Sequence, residues 1–297
     1  MDVEIVDVGP RDGLQNDDTT LEPATRAELC DRLAAAGLSR VEAASFVNPK
    51  LVPQMAGAEE VMENIRRSPG TSIAGLVLNE RGYERAVEAG VDEVRYAFPV
   101  TDTFAGKNQN TTVGEATELA SRLTERARLD GVRVSVTLSA AFGCPFEGGV
   151  GPATVLGVAE QVAKTAPDEI ILADTIGVGV PRQVRELVSE VKQTGVTTGC
   201  HFHDTRNTGI ANALAALESG ATVLDASVGG TGGCPFAPRA TGNISTEDLV
   251  YTLHGMGYAS GIDLEELIGV AEWLAHQLGK ELPGMVYRAG SFGPVAG

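Results

Sequence analysis

Two histidines separated by one residue are the most informative local feature of the sequence. His201 and His203 lie in the segment Gly-Cys-His-Phe-His-Asp, at the end of a run of residues that favours a strand. Side chains at positions i and i+2 of a strand point to the same face, so both imidazoles can bind one metal ion. Two core histidines that only make hydrogen bonds would show the same spacing. A carboxylate near them would favour the metal site.

Asp12 is the candidate for that carboxylate. Arg11 and Asp12 follow the first strand-like run, in the segment Val-Gly-Pro-Arg-Asp-Gly. If this strand lies near the histidines, Asp12 completes a set of two histidines and one carboxylate, which suits Mg²⁺ or Mn²⁺ and has ligand types that Fe²⁺ also accepts. Arg11 would then be available to stabilise negative charge on a substrate. Alternatively, Arg11 and Asp12 form only a structural ion pair.

Cys234 lies in a glycine-rich segment, Gly-Gly-Thr-Gly-Gly-Cys-Pro-Phe. Glycines allow the backbone to approach a ligand closely or to move as a lid. A cysteine in a mobile loop over a metal site is suited to proton transfer, whereas the alternative is a small apolar side chain beside a simple turn.

Residues in or directly after two other strand-like runs have two interpretations each. Glu42 either orients a metal-site residue or pairs with Arg11. Asp174 and Thr175 either cap the following turn or take part in the chemistry.

Alternating strand-like and helix-like runs must position these residues. The strand-like runs are 3–8, 40–44, 72–78, 93–98, 132–138, 169–173, 198–203 and 222–227. Helix-like runs separate them, and two more follow at 246–255 and 263–278. The pattern predicts an α/β fold, a (β/α)8 TIM barrel with an added C-terminal helical segment, in which the chemistry lies at the carboxyl ends of the strands. We expect one catalytic domain over 1–282 and a Gly/Pro-containing tail over 283–297, either mobile or a cap over the site.

Composition limits the possible partners. The 297 residues carry a formal net charge of −17, which argues against binding to nucleic acid or to anionic membranes. Apolar runs stay shorter than the roughly 18 residues of a membrane span, and the N-terminal segment has no targeting pattern. We therefore expect a soluble, cytoplasmic protein.

Several segments together resemble the 3-hydroxy-3-methylglutaryl-CoA lyases, which are metal-dependent barrel enzymes that cleave carbon–carbon bonds. The segments that carry the resemblance, in order, are 9–16, 41–55, 143–148, 174–179, 201–205, 232–237 and 242–251. An ordered series of motifs is far more specific than a His-x-His pair alone. The match extends from residue 3 to about residue 282.

The resemblance implies a metal site and a set of catalytic roles. Mg²⁺ or Mn²⁺ would be held by four residues, Asp12, His201, His203 and Asn243. Arg11 would stabilise the enolate oxygen of acetyl-CoA, Cys234 would give the enolate its proton, and Glu42 would orient the residues around the metal.

The resemblance also implies the ligands and the setting of the reaction. The acyl-CoA substrate would contact Arg11, Gln15, Asn108, Thr175 and Arg206. The products would be acetyl-CoA and a 3-oxo acid, which is acetoacetate for the usual substrate of the family and points to leucine catabolism. Members of the family often form homodimers.

Departures from the family pattern leave the acyl group open. Arg206 and Asn207 replace the usual Tyr-Gly, residues 100–103 replace a serine-rich stretch, and Asp18 replaces a lysine. A lyase for citramalyl-CoA or another 3-hydroxy-3-substituted acyl-CoA is therefore the nearest alternative. Two alternatives are more distant. One is a condensing enzyme of the same barrel group, and the other is a non-catalytic relative that keeps the metal.

Overall fold

A closed parallel barrel forms the centre of the molecule. The computed structural model describes residues 3–233 and 241–292. Within these residues, eight strands pair in sequence order, and β8 pairs with β1 to close the barrel. The strands are β1 (Glu4–Asp7), β2 (Arg40–Ser45), β3 (Ser72–Val77), β4 (Glu93–Pro99), β5 (Arg133–Ser139), β6 (Glu169–Asp174), β7 (Thr197–Phe202) and β8 (Val223–Ala226). The predicted (β/α)8 TIM barrel is confirmed.

Helices surround the barrel and bury its outer surface. The helices of the described residues are α1 (Pro23–Ala35), α2 (Ala58–Asn64), α3 (Glu80–Glu88), α4 (Asp102–Gln109), α5 (Val113–Asp130), α6 (Pro152–Ala163), α7 (Pro181–Val191), α8 (Gly209–Glu218), α9 (Thr246–Gly255), α10 (Leu264–Leu278) and α11 (Val286–Ala289). Apolar side chains of the strands and helices form one extended core between the two layers. None of the described helices is long and apolar enough to cross a membrane.

Local sequence signals fix several helix ends. The α5 helix begins with a capping box in which Thr112 and Glu115 each accept the other's backbone N–H. It ends at Gly131, whose φ of 71° suits glycine because it has no Cβ atom. The helix-like runs predicted at 246–255 and 263–278 lie close to α9 and α10.

The α4 helix was not predicted from the sequence. Its residues, Asp-Thr-Phe-Ala-Gly-Lys-Asn-Gln, contain a glycine and no regular apolar spacing, so the helical period is weak. Phe104 and Ala105 nevertheless bury their side chains, and Gln109 donates a hydrogen bond to the carbonyl of Ala97 at 2.8 Å. Tertiary contacts therefore stabilise a helix that the local sequence does not indicate.

Buried charges fill the amino-terminal end of the barrel interior. The Arg40 side chain is fully buried and contacts three carboxylates, those of Glu4 at 2.9 Å, Glu93 at 2.8 Å and Glu169 at 2.8 Å. Ser135 donates to Glu93 at 2.5 Å. One arginine shared between several carboxylates satisfies groups that would otherwise be costly to bury.

A small apolar cluster follows this charged layer on β1, β6 and β8. It consists of Val6, Val8, Ile171 and Val223, which form a cluster distinct from the core beneath the helices. The charged layer still reaches past this cluster on the β4 side, where Glu93 Oε1 lies 3.7 Å from Arg95 Nε.

The segment after residue 283, predicted as a tail, begins with a turn that is hydrogen-bonded to the rest of the barrel. Gly284 donates to the carbonyl of Gly229 at 2.8 Å. The Asp248 carboxylate accepts the backbone N–H groups of Met285 and Val286 at the start of α11. The described part of this segment is therefore tied to the loop after β8.

Removal of Arg40 from the charged layer should lower the stability of the protein substantially. In Arg40→Met the carboxylates of Glu93 and Glu169 stay buried without their partner, so we expect the free energy of unfolding to fall by about 3–5 kcal/mol. Urea unfolding would measure the change. As a control, Arg185→Met removes an exposed pair with Glu218 and should cost less than about 1 kcal/mol. Equal stability of Arg40→Met and the wild type would contradict the assignment.

Candidate active site and metal centre

A cavity of about 910 Å³ opens at the carboxyl ends of the strands. Most of the residues predicted from the sequence line it together: Arg11, Asp12, Gln15, Glu42, Asn108, Thr175, His201 and His203. Barrel enzymes carry their chemistry at this end. The fold therefore brings residues that are far apart in sequence to one place.

A tight turn after β1 directs Arg11 and Asp12 into the cavity. The carbonyl of Val8 accepts the N–H groups of Arg11, Asp12 and Gly13 at 3.2, 2.7 and 3.1 Å, which closes a single π-helical turn. A Cβ atom at Gly13 would lie 2.3 Å from Thr231 Oγ1, so only glycine fits there. Turns of this kind are common at functional sites because they redirect side chains within a few residues.

Asp12 and the two histidines form a compact group of potential ligands. Asp12 Oδ2 lies 3.9 Å from His201 Nε2 and 3.8 Å from His203 Nε2. One ligand atom from each residue lies within 4.8 Å of the others, and both imidazoles are buried. The spacing suits a shared cation, and a carboxylate with two imidazoles is an accepted donor set for divalent metals.

Neighbouring residues shift the pKa values of Asp12 and His201. Burial alone would raise the pKa of Asp12, but Arg11, His203 and His201 outweigh it and hold that pKa well below its usual value. Burial alone would lower the pKa of His201, but the hydrogen bond with Asp225 and the charges of Asp12 and Asp225 raise it. Asp12 is therefore available as an anionic ligand at neutral pH.

Asn243 lies beside the same group. Its backbone bridges that of His203, and its Nδ2 donates to Asp12 Oδ2 at 2.9 Å and to the carbonyl of Thr231 at 3.0 Å. Among the described residues, its Oδ1 is buried and makes no hydrogen bond. Buried acceptors without partners are rare, and an oxygen of this kind fits a ligand of a hard cation.

Arg11 connects Asp12 with Glu42. Its Nη1 donates to Asp12 Oδ1 at 2.6 Å, and its Nε donates to Glu42 Oε2 at 2.8 Å. Burial raises the pKa of Glu42, although Arg11 and Arg95 oppose that effect. Arg11 is thus held by ion pairs while it still lines the cavity.

The loop after β6 is fixed by its own side chains. Asp174 accepts the N–H groups of Val178 and Gly179 at 3.0 and 2.8 Å, so it caps the turn. Thr175 Oγ1 accepts the N–H of Ala140 at 2.9 Å and borders the cavity.

Arg206 is not among the residues that line the cavity in the described part of the chain. Its Nη1 donates to the carbonyls of Ile176 and Gly177 at 3.0 and 2.8 Å. The structure therefore does not bring Arg206 together with the other predicted substrate-binding residues. The Arg206 guanidinium donates its hydrogen bonds to carbonyls of the loop after β6 instead.

Cys234 lies outside the described residues. The loop that leads to it enters the cavity wall at Gly232 and Gly233, and Asn16 Nδ2 donates to the carbonyl of Gly233 at 3.3 Å. At the start of this loop, Glu247 accepts the N–H of Gly229 at 3.0 Å. The residue directly before Cys234 therefore borders the cavity.

Comparison with known proteins identifies the family. The HMGL-like family matches residues 2–274. This chain belongs to the HMGL-like family. It is 46% identical to the (R)-citramalyl-CoA lyase of Chloroflexus aurantiacus, over 98% of this chain and 96% of that protein. It is 40% identical to the mitochondrial hydroxymethylglutaryl-CoA lyase of Mus musculus, over 97% of this chain and 89% of that protein.

Solved structures of this family share the fold over its full length. The HMG-CoA lyase of Acinetobacter baumannii, in complex with coenzyme A and 3-methylmalate, has a TM-score of 0.95 and 36% identity. The match covers 100% of this chain and 97% of that one. The resemblance inferred from the sequence motifs is confirmed, and the HMGL-like relatives are carbon–carbon lyases acting on CoA esters.

Two buried charged residues of this HMGL-like barrel were missed by the sequence reasoning. Arg95 on β4 and Asp225 on β8 both line the cavity. Arg95 Nη2 donates to the two carboxylate oxygens of Asp225 at 2.8 and 2.9 Å. The available signal was a charged residue inside a mostly apolar strand, which is unusual unless the charge has a partner.

The raised pKa of Glu247 should make the stability of the protein depend on pH. Burial is the main cause that raises its pKa from 4.5 to about 7 in the folded protein. The folded state then keeps a proton that the unfolded chain releases between these pH values, so the side chain lowers stability as the pH rises from about 4.5 to 7. Glutamine cannot ionise. In Glu247→Gln this loss should be absent.

The test compares the two proteins at pH 4.5 and pH 8. Relative to wild type, Glu247→Gln should gain up to about 3 kcal/mol in free energy of unfolding between these pH values. Urea unfolding at both pH values measures the difference. The same stability difference at both pH values would show that Glu247 has an ordinary pKa.

Proposed function

We propose that this protein is a divalent-metal-dependent lyase that cleaves 3-hydroxy-3-methylglutaryl-CoA to acetyl-CoA and acetoacetate. The observation that carries the proposal is the group of Asp12, His201 and His203 beside Arg11 in the barrel cavity. The identity to hydroxymethylglutaryl-CoA lyases over nearly the whole chain supports it.

A closely related substrate is a second candidate. The 46% identity to a protein named (R)-citramalyl-CoA lyase favours citramalyl-CoA, which would give acetyl-CoA and pyruvate. The bond cleaved is equivalent in both substrates. The difference is one methylene group between the tertiary carbon and the carboxylate.

The metal in this proposal is Mg²⁺ or Mn²⁺. Asp12, His201, His203 and Asn243 would hold it, since their oxygen and imidazole donors suit either ion. A divalent cation bound there would supply positive charge beside the tertiary hydroxyl and a carbonyl oxygen of the substrate.

The side chains of the cavity account for the bond cleavage. When a base takes the hydroxyl proton, the bond between C2 and C3 breaks, so C3 becomes a ketone and the electron pair of that bond forms the enolate of acetyl-CoA. Arg11, held in place by Glu42, would stabilise the enolate oxygen. The thiol of Cys234 would then donate its proton to the enolate carbon, which completes acetyl-CoA.

Polar residues around the cavity would hold the substrate. Gln15, Asn108 and Thr175 lie in the cavity wall. The Gln15 Oε1 atom is buried without a partner among the described residues, so it is free to accept from a substrate group. The contacts of Arg206 favour an indirect role, in which it supports the loop that carries Thr175.

The setting of the reaction belongs to the same proposal. We expect one catalytic domain over 1–282 with a tail over 283–297, a cytoplasmic homodimer, and a role in leucine catabolism if the product is acetoacetate. The substrate partner would be an acyl-CoA, and the A. baumannii relative is described as a complex with coenzyme A.

A substrate assay with metal removal tests the proposal. Acetyl-CoA release from 3-hydroxy-3-methylglutaryl-CoA should occur with Mg²⁺ or Mn²⁺, stop with EDTA and return when metal is added. Citramalyl-CoA is assayed in parallel. Cleavage of citramalyl-CoA alone would move the assignment to the second candidate, and cleavage of neither would contradict a lyase function.

Point variants test the residue roles. Cys234→Ala should lower kcat by roughly 10²- to 10⁴-fold because it removes the proton donor. His201→Ala should lose metal-dependent cleavage. Both should remain folded by circular dichroism. Cys144→Ser should keep wild-type activity, because the buried Cys144 thiol contacts Thr101 Oγ1 at 3.1 Å and the N–H of Phe146 at 3.5 Å rather than lining the cavity of the described residues. Full activity in Cys234→Ala would rule out its catalytic role.

A further inference from the structure

Arg95 spans the barrel interior to reach Asp225. The two residues lie on β4 and β8, which are on opposite sides of the closed barrel. Both are buried, with 2% and 3% of their surfaces exposed. Arg95 Nη2 lies 2.8 and 2.9 Å from the two oxygens of Asp225. This contact fixes the carboxylate from the far wall of the barrel.

Asp225 in turn contacts a proposed metal ligand. Its Oδ2 lies 3.2 Å from His201 Nδ1, and the other ring nitrogen, Nε2, lies 3.9 Å from Asp12. A carboxylate on one imidazole nitrogen holds the proton there and leaves the lone pair of the other nitrogen for a cation. His203 differs, because its Nδ1 is buried and makes no hydrogen bond to a described residue.

The orientation of His201 therefore depends on a continuous chain of contacts. Asp225 uses Oδ2 for both Arg95 and His201, so a shift of the carboxylate would move the imidazole. Among the described residues, Arg95 and His201 are the charged or titratable side chains that make hydrogen bonds to Asp225. Arg95 is also held near Glu93, with Nε 3.7 Å from Oε1.

We propose that Arg95 is a positioning residue that acts through Asp225 to hold His201 in the orientation that binds the divalent metal. Arg95 itself touches neither the metal nor the reacting atoms in this account. The inference rests on the proposed metal site. It adds two residues, on β4 and β8, that the metal affinity depends on.

Mn²⁺ binding to the metal-free protein measures this role without an activity assay. Free Mn²⁺ is followed by electron paramagnetic resonance during titration of the full chain. Asp225→Asn and Arg95→Gln should each weaken Mn²⁺ binding on the order of 10- to 100-fold, the usual effect of losing a partner of a metal-bound imidazole. The double variant should bind Mn²⁺ about as weakly as Asp225→Asn alone, because Arg95 acts through Asp225.

Conservative variants provide the matched controls. Arg95→Lys keeps the charge, but the lysine side chain is shorter and its ammonium does not reach the position of Nη2 across the barrel, so it should restore only part of the affinity. Arg185→Lys makes the same change at an exposed arginine that pairs with Glu218 outside the cavity, and it should leave Mn²⁺ affinity unchanged. If Arg95→Gln does not fold, Arg95→Lys and the double variant, which removes both charges, still test the inference.

Three results are decisive. Wild-type affinity in Arg95→Gln or Arg95→Lys would overturn the role of Arg95. Additive losses in the double variant would show that Arg95 does not act through Asp225, and would overturn the inference as well. No Mn²⁺ binding by the wild-type protein would instead overturn the metal site of the proposed function, and the inference with it.

Discussion

Barrel closure brings the carboxylate of Asp12 next to the imidazoles of β7, and the active site depends on that contact. β8 pairs with both β1 and β7, so the turn after β1 lies beside the end of β7. Asp12 comes within 4 Å of both imidazoles as a result. In an open sheet, the first and seventh strands would lie far apart, and the three side chains could not share a cation.

Arginines balance the carboxylates that surround this contact. Arg11 forms ion pairs with Asp12 and Glu42. Arg95 pairs with Asp225. Arg40 pairs with Glu93 at the amino-terminal end of the barrel. Each pair is buried or nearly so, where an unpaired charge is costly. The barrel interior therefore holds arginines and carboxylates that compensate one another's charge, beside a small apolar cluster. This arrangement keeps the side chains fixed before substrate arrives.

The sequence predicted those features that depend on local pattern. Strand alternation placed His201 and His203 on one face, and the position of Arg11 and Asp12 after a strand placed them at the rim. Contacts across the barrel were not predictable in this way, because Arg95 and Asp225 are distant in sequence and neither has a distinctive neighbour. Helix α4 was missed because tertiary contacts, rather than its own residues, stabilise it. Arg206 was expected at the substrate, but its hydrogen bonds to the β6 loop depend on loop geometry that no motif encodes.

Asp12, His201, His203 and Asn243 would together hold one divalent cation at the rim of the barrel. The most direct test is a crystal grown with Mn²⁺ and an anomalous difference map recorded at the manganese absorption edge. We predict a single strong peak within bonding distance of these four side chains. A map with no peak there, or with the ion bound elsewhere in the cavity, would contradict the account.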